Sequence, residues 1–372
     1  MARSSRESLP ARRGTRPIPR ALLLVLLGAA AGAACNPGGG ADRVARARAA
    51  VSAAMSAKSI AGLSVAVVLR DRIVWAEGFG FADLENAVPF RASTVHRLAS
   101  VSKPITAVAA MQLAERGKLD LDAPIQGYCP AFPRKAEAIT SRQLLGHLSG
   151  IRHYKEGENF DSTRHFENIS DSLEPFKNDP LLHEPGEAYS YSTYGYVVLG
   201  CVVEGASGMR YGDYVRDNIA GPAGMERTRP DDAAAIIRNR ARGYARRPDG
   251  KLRNANLADT SNKVAGGGMV STVEDLARFA IALDTGRLLK KETFAAMQVP
   301  MRTRSGQESP YFGWTIEPFR GEKALRHSGS QQGTAAYLLM VPQRRFALAL
   351  LANTEDSGLR DLARSLTDIF LP

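Results

Sequence analysis

Hydrophobic residues in this chain gather near its two ends, in short runs broken by charged or proline-containing turns, while the middle is mixed and mostly helix-like. Leu63-Ser64-Val65-Ala66-Val67-Val68-Leu69 is β-branched and partly alternating, Arg70-Asp71-Arg72 interrupts it, and Ile73-Val74-Trp75-Ala76-Glu77-Gly78-Phe79-Gly80 resumes it. That pattern predicts a strand hairpin. At the other end, Ala335-Ala336-Tyr337-Leu338-Leu339-Met340-Val341 and Phe346-Ala347-Leu348-Ala349-Leu350-Leu351 flank Pro342-Gln343-Arg344-Arg345, a second pair of strands. Residues 43–57 and 359–370 read as helices. Strands at both ends around a helical middle predict an α/β (α+β) fold, with one antiparallel sheet built from both chain ends, flanked by helices and carrying an inserted, mostly helical subdomain. Residues 156–180 and 229–262 are polar and poorly periodic, the character of lids or binding edges.

Reactive side chains and a local geometric constraint coincide in Leu98-Ala99-Ser100-Val101-Ser102-Lys103-Pro104. Proline lacks an amide proton and clashes inside a helix, so Pro104 places a helix start here. The apolar, alanine-rich residues 105–116 continue that helix to a stop at Gly117. Ser100 and Lys103 are three apart and share a helix face if the first turn is helical. A serine hydroxyl needs a base to become a nucleophile, and a desolvated lysine can serve. Ser100-Val101-Ser102-Lys103 is the only Ser-x-x-Lys in the chain.

The bulk numbers exclude several classes. The chain has 372 residues, 44% hydrophobic and 23% charged, enough for a large core. Its net charge of +11 is inflated by the first 20 residues, which carry six arginines and one glutamate. The remaining positive charge is scattered, with no basic stripe interleaved with aromatics, so no nucleic-acid partner is expected. The arginines are followed by an apolar run, Ala21-Leu22-Leu23-Leu24-Val25-Leu26-Leu27, then by small residues ending at Cys35. This is the layout of a secretory leader over 1–35, too short to span a bilayer. It predicts export to the periplasm or cell envelope, with either a lipid anchor on Cys35 or simple cleavage nearby. Residues 36–44, with Gly38-Gly39-Gly40, read as a flexible tether, and 45–372 as the folded domain. Cys129 and Cys201 can pair or remain as buried thiols. No Cys/His set has metal-ligand spacing, and His147 and His153 read as structural or substrate-facing.

Two further segments carry polar side chains suited to an acyl-transfer site. Tyr189-Ser190-Tyr191-Ser192-Thr193-Tyr194 follows a Pro-Gly turn and runs into an apolar helix; a tyrosine there can present a phenolate or shuttle a proton. Arg326-His327-Ser328-Gly329-Ser330 precedes a strand, where a small edge lets a substrate backbone approach.

In this order the three motifs resemble those of the serine β-lactamase and penicillin-binding-protein superfamily: Ser-x-x-Lys, Tyr-x-Asn and Lys-Thr-Gly. Thr140 and the residues to Ile151, and Ala265-Gly266-Gly267-Gly268-Met269-Val270-Ser271-Thr272, agree with it. The resemblance runs from about residue 45 to 371 and is similar to the class C-related branch. Thr193 stands where Asn is usual and His327 where Lys is usual. With His147-Leu148-Ser149-Gly150, these departures are most similar to the mitochondrial serine β-lactamase-like branch and its bacterial relatives. The resemblance implies an acyl-enzyme serine hydrolase, a peptidase or esterase, with Ser100, Lys103 and Tyr191 catalytic. Thr193, His327, Ser328, Gly329 and Ser330 would bind substrate, and the amides of Ser100 and Ser330 would hold the oxyanion. It implies a small-molecule or peptide substrate and no metal or organic cofactor. Losing the third-motif cation argues against β-lactams as the main substrate, with Arg326 a partial replacement. The alternatives are β-lactamase or D,D-carboxypeptidase activity, or a self-assembling, homo-oligomeric scaffold without catalysis.

Overall fold

The computed structural model describes residues 37–371 apart from 156, 157 and 159–161. In chain order its main elements are helix α1 (Pro37–Ala57), strands β1 (Gly62–Leu69), β2 (Arg72–Asp83) and β3 (Val88–Pro89), helices α2 (Ser102–Glu115), α3 (Thr193–Ser207) and α4 (Val273–Asp284), strands β4 (Thr315–Phe319), β5 (Glu322–Gln331), β6 (Thr334–Val341) and β7 (Phe346–Ala352), and helix α5 (Leu359–Phe370).

The strands form one seven-stranded sheet in the order β4-β5-β6-β7-β1-β2-β3, with antiparallel neighbours throughout. The two ends of the chain meet where Leu63 opposes Ala352 and Val67 opposes Leu348. Two-residue closure of the first hairpin puts Arg70 and Asp71 at φ 51° and 61°, the left-handed geometry that matches strand twist.

The central strands are apolar on both faces because both faces are covered. Leu63, Val65, Val67, Leu348 and Leu350 point into a core shared with α1 and α5. Ala66, Ala336, Ala347 and Ala349 point the other way, into the larger core under α2, α3 and α4, where small side chains let helices lie close. On α5 the buried residues Leu359, Leu362, Ala363, Leu366 and Phe370 form one stripe.

Helix α1 begins at Pro37, so the tether expected over 36–44 is helical from residue 37 onward. Proline pre-sets φ for a first helical position, and extending an existing helix costs far less than starting one. The leader and Cys35 lie outside the described residues. Cys129 and Cys201 are joined in a disulfide that ties α3 to the segment following α2. Among the described residues no helix is long and apolar enough to cross a membrane.

Candidate active site

The site is assembled where the N-termini of α2 and α3 meet β5. Residues Ala99–Val101 form a single 3₁₀ turn leading into α2. Ala99 takes φ 46°, a strained value for a residue with a Cβ. Ser102 stabilises that turn by donating from Oγ to Ala99 O at 2.8 Å. Ser100 is therefore presented, half-buried, at the lip of the helix, while Lys103 points inward and is fully buried.

Lys103 Nζ has three oxygen neighbours: Ser100 Oγ at 3.0 Å, Thr193 Oγ1 at 3.1 Å and Gly266 O at 2.6 Å. Burial, reinforced by the charge of Lys263, holds its pKa well below that of an ordinary lysine. A neutral amine has two N–H groups and one lone pair. It can donate to Gly266 O and Thr193 Oγ1 and still accept the Ser100 hydroxyl proton.

Ser100 and Thr193 both favour the charged form of the Tyr191 phenol. Its ring centroid is 4.8 Å from Lys103 Nζ. Burial raises the Tyr191 pKa and the influence of Ser100 opposes only part of that shift, so the group is a protonated phenol rather than the phenolate that the sequence leaves open.

Two histidines hold this loop. Ser192 caps α3, its Oγ accepting from Gly195 N at 2.9 Å. The Ser192 amide donates to His147 Nδ1 at 3.1 Å, and the Thr193 amide to His153 Nδ1 at 3.2 Å. Both rings accept from backbone and so must be neutral at those nitrogens; burial, aided by Lys103 and Lys263, lowers the His153 pKa to about 4. Of the two readings the sequence leaves open, His147 takes the structural one.

The third segment departs from expectation at one residue. His327, predicted to bind substrate, is only 4% exposed. Its Nδ1 donates to Ser328 O at 2.7 Å, which leaves Nε2 to accept from the Tyr311 hydroxyl at 2.5 Å. Burial, then the nearby charge of Lys103, lowers its pKa to about 3. The ring is a neutral buried brace and carries no charge to a substrate. Arg326 does not replace the missing cation either, because its Nε is paired with Glu317 at 2.6 Å. Gly329 lies against the Ser100 turn: a Cβ there would stand 2.4 Å from Leu98 O and 3.0 Å from Ser100 N. Ser328 and Ser330 are exposed, and β4 pairs only with residues 322–326, so it leaves 327–331 open on that side.

A cavity of about 70 Å³ brings together Ser100, Thr193 and Ser330 with His153, which the sequence leaves as structural or substrate-facing, and with Tyr154, Lys263 and Gln331, to which the sequence assigned no role. Lys263 precedes the glycine-rich turn by a few residues, and nothing in its neighbours marks it as a site lysine. Among the described residues no group of three or more His, Cys, Asp or Glu side chains is placed to hold a metal ion.

Comparison with known proteins agrees with this geometry. The Beta-lactamase family model matches residues 47–369. The chain is 32% identical over 410 residues to the human mitochondrial serine beta-lactamase-like protein LACTB, covering 81% of this chain and 75% of that one. It is 31% identical over 303 residues to penicillin-binding protein 4* of Bacillus subtilis, covering 76% and 66%. Among solved structures it resembles the octameric penicillin-binding protein homologue from Pyrococcus abyssi, at 26% identity and TM-score 0.74, covering 84% and 74%. With the family model spanning nearly all of the described chain and the fold reproduced, this protein belongs to the β-lactamase family of serine hydrolases.

Proposed function

We propose that Ser100 is the nucleophile of a peptidase or esterase whose acyl-enzyme is relieved by water. Neutral Lys103 takes the Ser100 proton as Oγ bonds to the substrate carbonyl carbon. The Tyr191 hydroxyl gives its proton to the departing amine or alkoxide as the C–N or C–O bond breaks, and recovers one from Lys103. Water then attacks the ester carbonyl by the same route in reverse, returning the proton to Ser100. The amides of Ser100 and Ser330 face the developing oxyanion in this reading, and Thr193 and Gly266 keep the amine aligned. Ser328, Gly329 and Ser330 form the wall along which the substrate lies.

The observation that carries the proposal is the 3.0 Å approach of a fully buried lysine amine to a half-exposed serine hydroxyl. Positioned acid–base catalysis contributes roughly 10²–10⁴ in rate and one oxyanion donor about 10²–10³. Hydrolysis should be profiled over p-nitrophenyl esters, D-alanyl peptides and nitrocefin for the parent, Ser100→Ala, Lys103→Met and Tyr191→Phe. Ser100→Ala should lose all turnover, and the other two should fall by about 10²–10⁴. A Ser100→Ala protein that keeps the parent rate would remove the assignment.

Export belongs to the same reading. The disulfide supports it, because such bonds persist in oxidising compartments. If Cys35 is the lipidated residue, Cys35→Ala moves the protein from the membrane to the soluble fraction; unchanged fractionation excludes the anchor. Self-association also remains part of it, one solved relative being octameric, and light scattering at micromolar concentration reads it directly.

A further inference from the structure

We infer that Gln331 selects the acyl part of the substrate: its side-chain amide donates to a second carbonyl oxygen there, so that an ester or amide with such a carbonyl is preferred over a plain alkanoyl one. The inference rests on the hydrolase reading above and concerns which acyl compounds it favours.

Successive side chains of β5 alternate between the two faces of the sheet, so His327, Gly329 and Gln331 share one face. That face looks at the nucleophile, because a Cβ on Gly329 would stand 3.0 Å from Ser100 N. Gln331 is 4% exposed and lines the cavity of about 70 Å³ that holds Ser100. It also lines a second cavity, of about 270 Å³, which shares Ser330 with the first and continues to Glu355 and Asp356. The side chain therefore stands where the two cavities meet. Its Nε2 is buried and has no hydrogen-bond partner among the described residues. A buried polar group left unmet is costly, and a ligand atom that meets it offsets that cost. An amide nitrogen has two N–H donors and does not accept, so the atom it lacks is an acceptor.

The direction in which the substrate lies follows from the acid that protonates its leaving group. The Tyr191 ring centre is 6.5 Å from that of His327, at one end of this stretch of β5. Gln331 lies four residues further along, about 13 Å in an extended strand. A leaving group protonated by Tyr191 departs at the His327 end, and the acyl group held on Ser100 extends the other way, toward Gln331 and the larger cavity. Thr193, expected to bind substrate, is 3% exposed, and its hydroxyl is already bonded to Lys103 at 3.1 Å. Gln331 therefore supplies the buried donor on the acyl side, and the uncharged acceptor that answers it is a carbonyl oxygen.

Three p-nitrophenyl esters with acyl chains of equal length test this: the valerate, with no second carbonyl; the 4-oxopentanoate, with a carbonyl but no N–H; and the N-acetylglycinate, with both. The readout is the ratio of kcat/KM, corrected for spontaneous hydrolysis, for each carbonyl-bearing ester to that for the valerate. Comparing this ratio between parent and variant cancels the intrinsic reactivity of each ester and any effect of Gln331 on chemistry common to all. Gln331→Met and Gln331→Leu, two donor-free replacements whose folding a thermal melt verifies, should each lower both ratios by about 10- to 100-fold. Equal losses on all three esters would show that Gln331 acts only by shaping the wall beside Ser100. Unchanged ratios would show that its amide does not reach the acyl group, and a drop for the N-acetylglycinate alone would show that it reads the N–H rather than the carbonyl; each of these overturns the inference. Labelling of Ser100 by a fluorophosphonate is followed in parallel. A parent labelled at Ser100 whose ratios do not respond keeps the hydrolase reading and loses this one, whereas a parent that is not labelled loses the hydrolase reading itself.

Discussion

Gly329→Ala is the substitution whose effect can be worked most directly from the structure. The added methyl would stand 2.4 Å from Leu98 O and 3.0 Å from Ser100 N, whereas real Cβ contacts begin at 3.0–3.4 Å. Relieving the clash requires the Leu98–Ser100 turn, or β5, to retreat by about 0.6–1 Å. The turn cannot yield freely, because Ala99 already sits at φ 46° and Ser102 Oγ is bonded to its carbonyl. Overpacking of this kind costs about 1–3 kcal/mol of stability. A displacement approaching 1 Å at a reacting atom costs about 10²-fold in rate. The assay pairs kcat/KM on a p-nitrophenyl ester with the rate of fluorophosphonate labelling at Ser100, and a thermal melt shows whether the variant is folded. Both rates should fall about 10²-fold in a folded protein. Ser328→Ala, on the exposed face of the same strand, should change them by less than about tenfold, since it introduces no clash. A folded Gly329→Ala protein with parental rates would mean that the Ser100 turn is not held by β5, and the geometric account of the site would fail.

Further outcomes follow from the same structure. Replacing both Cys129 and Cys201 by Ala should lower the unfolding free energy by about 4 kcal/mol, the chain-entropy value for a 72-residue separation, as read by urea denaturation; a change under about 1 kcal/mol would mean that packing alone holds α3. His96 and His327 bind protons less readily when folded, at about 4 and about 3, than the ordinary 6.5, because burial disfavours the charged ring. Between pH 6.5 and 5 the unfolded chain takes up these protons and the folded one does not, so stability falls as pH falls, by about 2 kcal/mol per histidine at pH 5. His96→Gln and His327→Gln should each flatten that pH dependence by this amount, and a slope unchanged in either would refute the buried-neutral assignment. The acidic, ascending limb of the kcat/KM profile should have its midpoint below 10.5, because Lys103 must lose its proton to act as base and does so more readily than a free lysine; activity still rising with pH at or above that value would exclude the neutral amine as base.

Local chemistry made much of this protein legible before its structure. Both hairpins are written in runs of β-branched and aliphatic residues with turn residues between them, and Pro104 fixes where α2 begins. Ser100 and Lys103 are three positions apart, so their meeting depends on one helical turn and little else. The burial of His327 was not legible, because it depends on Tyr311, sixteen residues away on a different segment. Lys263 was hidden for a similar reason: its place beside Ser100 arises from the packing of the Val264–Gly267 turn against the start of α2. The pairing of Cys129 with Cys201 likewise depends on α3 lying against the segment that follows α2, a long-range arrangement that spacing does not encode. Helix α1 extends through Gly38-Gly39-Gly40 although glycine is a poor helix former, a case where local propensity misleads.

The central claim is that hydrolysis passes through a covalent ester on Ser100, formed with the help of a neutral Lys103. It is tested most directly by quenching the protein with acid during turnover of a slow ester and mapping the added mass by peptide mass spectrometry. The account predicts one acyl group, on the peptide containing Ser100, formed in the parent and absent in Ser100→Ala and strongly reduced in Lys103→Met. Turnover without an adduct at Ser100, or an adduct on another residue that persists in Ser100→Ala, would contradict it.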